Sequence, residues 1–100
     1  MSFFAKLFGV KSEDYKELVK NGAMIVDVRS QGEFKSGHIK GAVNIPLPEI
    51  TNSLNKIPKN KVIITCCASG MRSGSAKGIL KSKGYDVHNG GSWASLNSKI

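Results

Sequence analysis

The sequence has little of the material that builds several common classes of protein. Its 100 residues contain two cysteines, three prolines and seven aromatic residues. The cysteines, Cys66 and Cys67, are adjacent and are therefore poor material for the disulfide framework of small secreted domains. They favour a reducing compartment or a reactive thiol, and we expect a cytoplasmic protein. Cys and His residues also lack metal-ligand spacing, so no metal is expected.

Long apolar runs are missing as well, and no stretch approaches the length of a transmembrane helix. In residues 1–9, Phe3, Phe4, Leu7 and Phe8 share one helical face, but the segment lacks the basic start and unbroken apolar core of a signal peptide. We expect it to pack onto the domain as a short apolar extension. An interfacial membrane anchor is the alternative, disfavoured because so short a segment buries little area.

Acidic residues are scarce: seven stand against fifteen Lys and Arg, which gives a formal net charge of +8. Such a balance is found in proteins that bind nucleic acid, acidic membranes or small anions. Here the basic residues are scattered, with no run of like charge longer than two and few aromatic rings between them. The pattern favours a solvated lysine-rich surface, with no nucleic-acid partner and no stable membrane association.

One stretch, residues 67–74, lies between a strand pattern and a helix pattern. Residues 61–66 are mostly β-branched or apolar, as in a buried parallel strand, and residues 75–81 have helical apolar spacing. Cys67 is therefore expected at the positive end of a helix dipole, among free amide groups that lower a thiol's pKa and stabilise anions. Arg72 adds a permanent charge and a planar donor for an oxyanion. We predict an accessible nucleophilic thiolate in an anion-binding loop.

The rest of the chain alternates strand and helix patterns. Strands are predicted over 23–28, 39–45, 61–66 and 85–88, and helices over 12–20 (capped by Ser12), 31–36 (with a Ser30–Glu33 capping box), 47–57 and 75–81, before a short helical tail carrying Trp93 and Leu96. This order predicts an α/β domain with a parallel sheet. Ligands of such sheets bind beyond the carboxyl ends of the strands, so Cys67, residues 27–29 and a Gly90-Gly91 turn are expected around one site.

Several segments together resemble the rhodanese homology domain. They are Val26-Asp27-Val28-Arg29 with Glu33-Phe34, the stretch Gly37-His38-Ile39 to Pro46, the loop Cys67 to Ser73, and Gly90-Gly91. The resemblance covers about residues 10–95 and implies one domain over residues 1–100, with a three-layer α/β/α architecture and a five-stranded parallel sheet. It also implies a thiosulfate sulfurtransferase that carries a persulfide on Cys67, uses no cofactor, and passes the sulfur to cyanide, a thiol or a protein cysteine.

The residue chemistry agrees with that resemblance. A thiolate at Cys67 can attack the outer sulfur of thiosulfate and expel sulfite. The rest of the loop is expected to bind the donor and the anionic sulfur, with Arg72 as the anion clamp and Ala68, Ser69, Gly70, Met71 and Ser73 around it. The resemblance also implies a structural role for two nearby residues: Arg29 in an ion pair with Glu33, and His38 in a hydrogen bond.

A second interpretation of the loop begins one residue earlier. Cys66 and Arg72 are separated by five residues, the spacing of the cysteine phosphatase loop that some members of this fold carry, and such a loop holds phosphate or arsenate. Gly70 lies three residues after Cys67, as the sulfurtransferase form expects, and Cys66 completes the apolar strand as a small buried residue. The alternatives are a phosphatase or arsenate reductase that uses Cys66, and a binding module without turnover.

Overall fold

Strands and helices alternate along the chain in the computed structural model, which describes residues 14–100. The order is α1 (Tyr15–Lys20), β1 (Met24–Asp27), α2 (Gln31–Ser36), β2 (Val43–Asn44), two 3₁₀ turns (Leu47–Glu49 and Thr51–Lys56), β3 (Ile63–Cys67), α3 (Met71–Ser82), β4 (Val87–Ser92) and α4 (Trp93–Asn97). The predicted apolar extension, residues 1–9, lies outside the described part. Between residues 14 and 100, no helix combines the length and hydropathy needed to cross a membrane.

The sheet is parallel throughout, in the order β2-β1-β3-β4. Its two central strands are buried on both faces, as their apolar composition predicts. Within residues 14–100 the sheet has four strands, the number that the sequence pattern predicts, rather than the five that the resemblance implies. The strand predicted over 39–45 shrinks to Val43–Asn44 because the Ala42 amide turns back to the Ile39 carbonyl (3.0 Å), with Gly41 at φ 87°.

Alternating side chains of β3 divide the core into two layers, one on each face of the sheet. Ile63 and Cys67 belong to a buried cluster that includes Ala76 and Leu80 of α3 and Ile50 between the 3₁₀ turns. The other cluster contains Ile64 and Cys66 of β3, together with Tyr15 of α1 and Leu96 of α4. The domain is therefore the predicted three-layer α/β/α arrangement, and its two cysteines lie on opposite faces of the sheet.

The first two helices begin at side-chain caps. The carboxylate of Asp14 accepts the Glu17 amide at 3.1 Å and caps α1, whereas the predicted cap, Ser12, lies outside the described residues. In α2 the predicted capping box is confirmed, since the side chains of Ser30 and Glu33 each accept the other's backbone amide.

The single helix predicted over 47–57 is wrong. Two 3₁₀ turns take its place, interrupted by non-helical dihedral angles at Ser53. Thr, Asn and Ser at positions 51–53 have low helix propensity because their side chains lose freedom in a helix or compete for backbone hydrogen bonds. Ile50 is nevertheless fully buried and Leu54 packs against the same cluster, so the predicted inward residues are correct.

Two boundaries near the cysteine loop differ from the prediction in a way that shapes the site. Helix α3 begins at Met71, four residues earlier than expected, so Arg72 and Ser73 lie in its first turn. Strand β4 continues to Ser92, so Gly90 and Gly91 lie within a strand and not in a turn after it. The register of β3 and β4 pairs Thr65 with Asn89 but Cys67 with Ser92, which leaves one extra residue in β4, a β-bulge.

Candidate active site

Cys67 is the last residue of β3, and the chain beyond it returns to the cysteine sulfur. The Gly70 amide donates to Sγ at 3.0 Å and the Ser73 amide donates to it at 3.3 Å. The thiol in turn lies 3.4 Å from the Ser73 hydroxyl oxygen. Gly70 has φ 103°, a left-handed conformation that favours glycine, and this places its amide over the sulfur. These donors surround the sulfur, as the prediction of a cradle of loop amides requires.

The hydrogen bonds to Cys67 change its acidity. Burial alone raises the pKa of Cys67, but donation by the Ser73 hydroxyl and by the amides of Ser73, Gly70 and Ser69 outweighs this, so the net pKa is lowered. The predicted accessibility is wrong, however, because Cys67 is 0% exposed in this conformation. The neighbouring loop residues Ala68 and Ser69 are exposed, so the buried sulfur lies close to the protein surface.

Cys66 has the opposite environment on the other face of the sheet. Burial raises its pKa to about 12, and the nearby Asp27 carboxylate adds to the increase. A thiol in this state stays protonated near neutral pH. The thiolate-stabilising donors therefore belong to Cys67, and the geometry gives no support to a phosphatase loop in which Cys66 is the nucleophile.

The Arg72 guanidinium binds Glu33 of α2. Nη1 lies 2.8 Å from Oε1 and Nη2 lies 3.0 Å from Oε2, a bidentate pair in which both side chains are 39% exposed. Hydrogen bonding to Arg72, and then to Ser30, lowers the pKa of Glu33 from its ordinary value of 4.5 to about 2. The predicted Arg29–Glu33 pair is therefore wrong, and an anion that binds Arg72 must share its guanidinium with a carboxylate.

Arg29 instead pairs with Asp27, and both side chains are almost fully buried. Its Nε and Nη2 donate to the carboxylate at 3.0 Å and 2.8 Å, and Nη2 also donates to the Gly37 carbonyl at 2.7 Å. The predicted hydrogen bond of His38 is confirmed, since its Nδ1 lies 2.7 Å from the Phe34 carbonyl. These contacts hold the segment after β1 in place, the structural role expected for both residues.

Asn89 on β4 is a site residue that the sequence did not predict. Its Oδ1 lies 2.7 Å from the Ser73 hydroxyl oxygen and accepts the Gly91 amide at 2.9 Å. Its Nδ2 donates to the Gly70 carbonyl at 3.2 Å. Asn89 thus binds both Gly70 and Ser73, whose amides donate to Cys67 Sγ at 3.0 Å and 3.3 Å. The Asn-Gly-Gly sequence was the available signal, but it predicts a turn, whereas the structure uses it as a bulge.

The predicted site residues divide into those that meet at the Cys67 sulfur and those that lie beside it. Cys67, Ser69, Gly70 and Ser73 meet at the sulfur. Ala68 is exposed beside them, and the Met71 side chain, 81% exposed, adds an apolar surface next to the loop. Over residues 14–100, His, Cys, Asp and Glu form no group of three suited to a metal ion.

Comparison with known proteins shows the family of the chain. The sequence model of the family described as "Rhodanese-like domain" matches residues 11–95. The chain is 40% identical over 62 residues to the uncharacterized protein YqhL of Bacillus subtilis, covering 62% of this chain and 49% of that protein. It is 39% identical over 69 residues to thiosulfate sulfurtransferase PspE of Escherichia coli, covering 66% of each.

A solved structure of a rhodanese with anions from Escherichia coli superposes with a TM-score of 0.69 at 34% identity, covering 74% of this chain and 91% of that one. The chain spans about half of the first relative's length and about two thirds of the second's. The family match covers most of the sequence, and the parallel α/β/α architecture agrees with it. The chain therefore belongs to the rhodanese-like domain family.

Proposed function

We propose that this protein is a sulfurtransferase that takes a sulfane sulfur from thiosulfate, or a similar small anionic donor, and passes it to a thiol or cyanide. The observation that carries the proposal is the cradle of Gly70 and Ser73 donors around the Cys67 sulfur. Such donors stabilise a thiolate and then an anionic persulfide. A relative named thiosulfate sulfurtransferase, at 39% identity, supports the same activity.

The reaction has two displacement steps. In the first, the Cys67 thiolate attacks the outer sulfur of thiosulfate, the sulfur–sulfur bond of the donor breaks, and its electron pair leaves with sulfite. Cys67 then carries a persulfide whose terminal sulfur is anionic. In the second, an acceptor thiolate or cyanide attacks that terminal sulfur, and the electron pair returns to Sγ of Cys67. The electrons balance without a redox partner.

Access to the sulfur requires movement of the loop. Cys67 is 0% exposed, so a donor reaches its sulfur only after the residues that cover it move. The exposed neighbours Ala68 and Ser69 are the proposed mobile residues. The donor's sulfonate oxygens then compete with Glu33 for the Arg72 guanidinium, whose fork matches either anion. Arg72 is thus the proposed clamp, and Glu33 sets how readily it accepts a donor.

The two neighbouring cysteines supply a matched pair of variants. Wild type, Cys67→Ser and Cys66→Ser are incubated with thiosulfate, and the intact mass of each is measured. We expect wild type and Cys66→Ser to gain one sulfur atom and Cys67→Ser to gain none. Thiocyanate formation from thiosulfate and cyanide should follow the same order.

Each contrary outcome has a distinct meaning. An adduct that persists in Cys67→Ser and disappears in Cys66→Ser moves the nucleophile to Cys66. Hydrolysis of a phosphate ester with no sulfur adduct overturns sulfur transfer in favour of a phosphatase. Correctly folded protein with neither activity indicates a binding module.

A further inference from the structure

The orientation of the Asn89 side-chain amide is fixed by its partners. Oδ1 faces the Gly91 backbone amide, which can only donate, and Nδ2 faces the Gly70 carbonyl, which can only accept. The backbone is held as well, because Gly90 packs so tightly that a β-carbon there would lie 2.9 Å from the Thr65 carbonyl oxygen. Asn89 therefore presents an acceptor, and not a donor, to the Ser73 hydroxyl.

Ser73 lies between two groups that compete for one proton. Its hydroxyl oxygen is 2.7 Å from Asn89 Oδ1 and 3.4 Å from Cys67 Sγ, and the residue is fully buried. When Cys67 is a thiol, the S–H can donate to Ser73 while Ser73 donates to Asn89. When the sulfur is anionic it has no proton to give, and Ser73 can donate to it only by turning its hydrogen away from Asn89.

We propose that Asn89 is a positioning residue for the reactive sulfur: it holds Gly70 and Ser73 in the cradle, and its Oδ1 keeps the Ser73 hydroxyl hydrogen until negative charge forms on Cys67 Sγ. The inference rests on the proposed role of Cys67 as the nucleophile. Neither Asn89 nor its bond to Ser73 follows from the loop sequence, since the two residues are 16 positions apart.

This arrangement matters most in the second displacement step. Attack on the terminal sulfur of the persulfide breaks the sulfur–sulfur bond and leaves its electron pair on Cys67 Sγ. The Ser73 hydroxyl hydrogen then rotates from Asn89 to that sulfur, while the Gly70 and Ser73 amides already face it. The donor moves by a single bond rotation within a preorganised cradle, so little reorganisation opposes departure of the thiolate.

Other ionisable groups act on Cys67 as well, and the test must separate their effects. Arg72 in the first turn of α3 and Cys66 on the same strand both interact electrostatically with Cys67, and Glu33 of α2 is bound to Arg72. None of these groups is changed when Asn89 or Ser73 is replaced. A cycle of variants at these two positions therefore isolates the coupling between them.

The experiment measures the ionisation constant of Cys67 from thiolate ultraviolet absorbance, with Cys67→Ser as the blank. Four proteins are titrated: wild type, Asn89→Ala, Ser73→Ala and the double variant. We compare the change that Asn89→Ala causes in the ionisation constant of Cys67 with Ser73 present and in the Ser73→Ala background. With Ser73 present, the change should favour the thiolate by about three- to tenfold more, which is the value of one released hydrogen bond. Loss of the Gly70 anchor occurs in both backgrounds and cancels.

Equal effects of Asn89→Ala in the two backgrounds would overturn the proposal, because Asn89 would then act without Ser73. Asn89→Asp keeps the acceptor and adds charge, so it should make Cys67 less acidic, and more so when Ser73 is present. It provides the same test if Asn89→Ala does not fold. The titration needs no sulfur donor, whereas intact mass after thiosulfate treatment reports the proposed function separately. A sulfur adduct without coupling between Asn89 and Ser73 would overturn the proposed role of Asn89. Coupling without a sulfur adduct would overturn the proposed sulfur transfer.

Discussion

Replacing Gly90 by alanine should destabilise the protein through a single methyl group. A β-carbon at this position would lie 2.9 Å from Ile64 Cγ2, from Leu96 Cδ2 and from the Thr65 carbonyl oxygen. The two side-chain contacts can relax by small rotations. The carbonyl oxygen belongs to β3, which is paired with strands on both sides, so it cannot move without disturbing the sheet.

The expected cost follows from these contacts. Inserting a methyl group into a filled core costs about 1–3 kcal/mol, and contact with a fixed backbone atom places Gly90→Ala in the upper part of that range. Removing glycine from a strand returns about 0.5–1 kcal/mol, because alanine loses less backbone entropy on folding. We therefore expect a net loss of about 2 kcal/mol, which lowers Tm by about 8–16 °C in a domain of this size.

Gly78 in α3 is the matched control. A β-carbon there meets nothing within 4 Å, so Gly78→Ala should raise stability by about 1 kcal/mol through helix propensity alone. Thermal and urea unfolding of the two variants beside wild type measure both effects. A Gly90→Ala variant as stable as wild type would refute the reasoning, because it would mean that the β3–β4 contact has room for a methyl group.

Three further predictions concern the charged residues. Arg72→Ala should raise the KM for thiosulfate with only a small fall in Tm, since the ion pair that it removes is partly exposed and contributes little to stability; an unchanged KM would argue against the clamp. Glu33 has a pKa of about 2 when folded against an ordinary 4.5, so its stabilising effect is complete above about pH 4.5 and is lost as pH falls towards 2. Acid unfolding of wild type and Glu33→Gln is followed by circular dichroism. The loss of folded protein with falling pH over that range should be less steep in Glu33→Gln than in wild type, and identical curves would contradict the pairing. Arg29→Ala leaves the buried Asp27 carboxylate without its partner and should cost about 3–5 kcal/mol in urea unfolding, whereas Lys16→Ala on the exposed surface should cost almost nothing.

The sequence was sufficient for features that depend on neighbouring residues. The β-branched run before Cys67 predicts a buried strand, and Ser30 with Glu33 predicts a capping box, because both patterns act over a few positions. The order of strands and helices then limits the fold to a parallel α/β domain. The same local logic failed where propensity was weak, as at residues 47–57, where the polar run at 51–53 forms 3₁₀ turns.

Contacts between distant segments were beyond the sequence. Arg72 binds Glu33 across 39 residues, and Ser73 meets Asn89 across 16, through a bulge that sequence patterning interprets as a turn. Arg29 lies four residues from Glu33 but pairs with Asp27. The Asp27 carboxylate is buried, and a buried carboxylate without a positively charged partner costs more free energy than an exposed one.

The sequence by itself determined the α/β fold class and the position of a cysteine loop between a strand and a helix, since periodicity, capping and glycine spacing are encoded locally. It favoured Cys67 over Cys66 but did not determine what surrounds either thiol. Only the tertiary structure decided this, because neighbouring strand residues face opposite sides of the sheet. One side surrounds Cys67 with amide and hydroxyl donors, and the other buries Cys66 and raises its pKa to about 12.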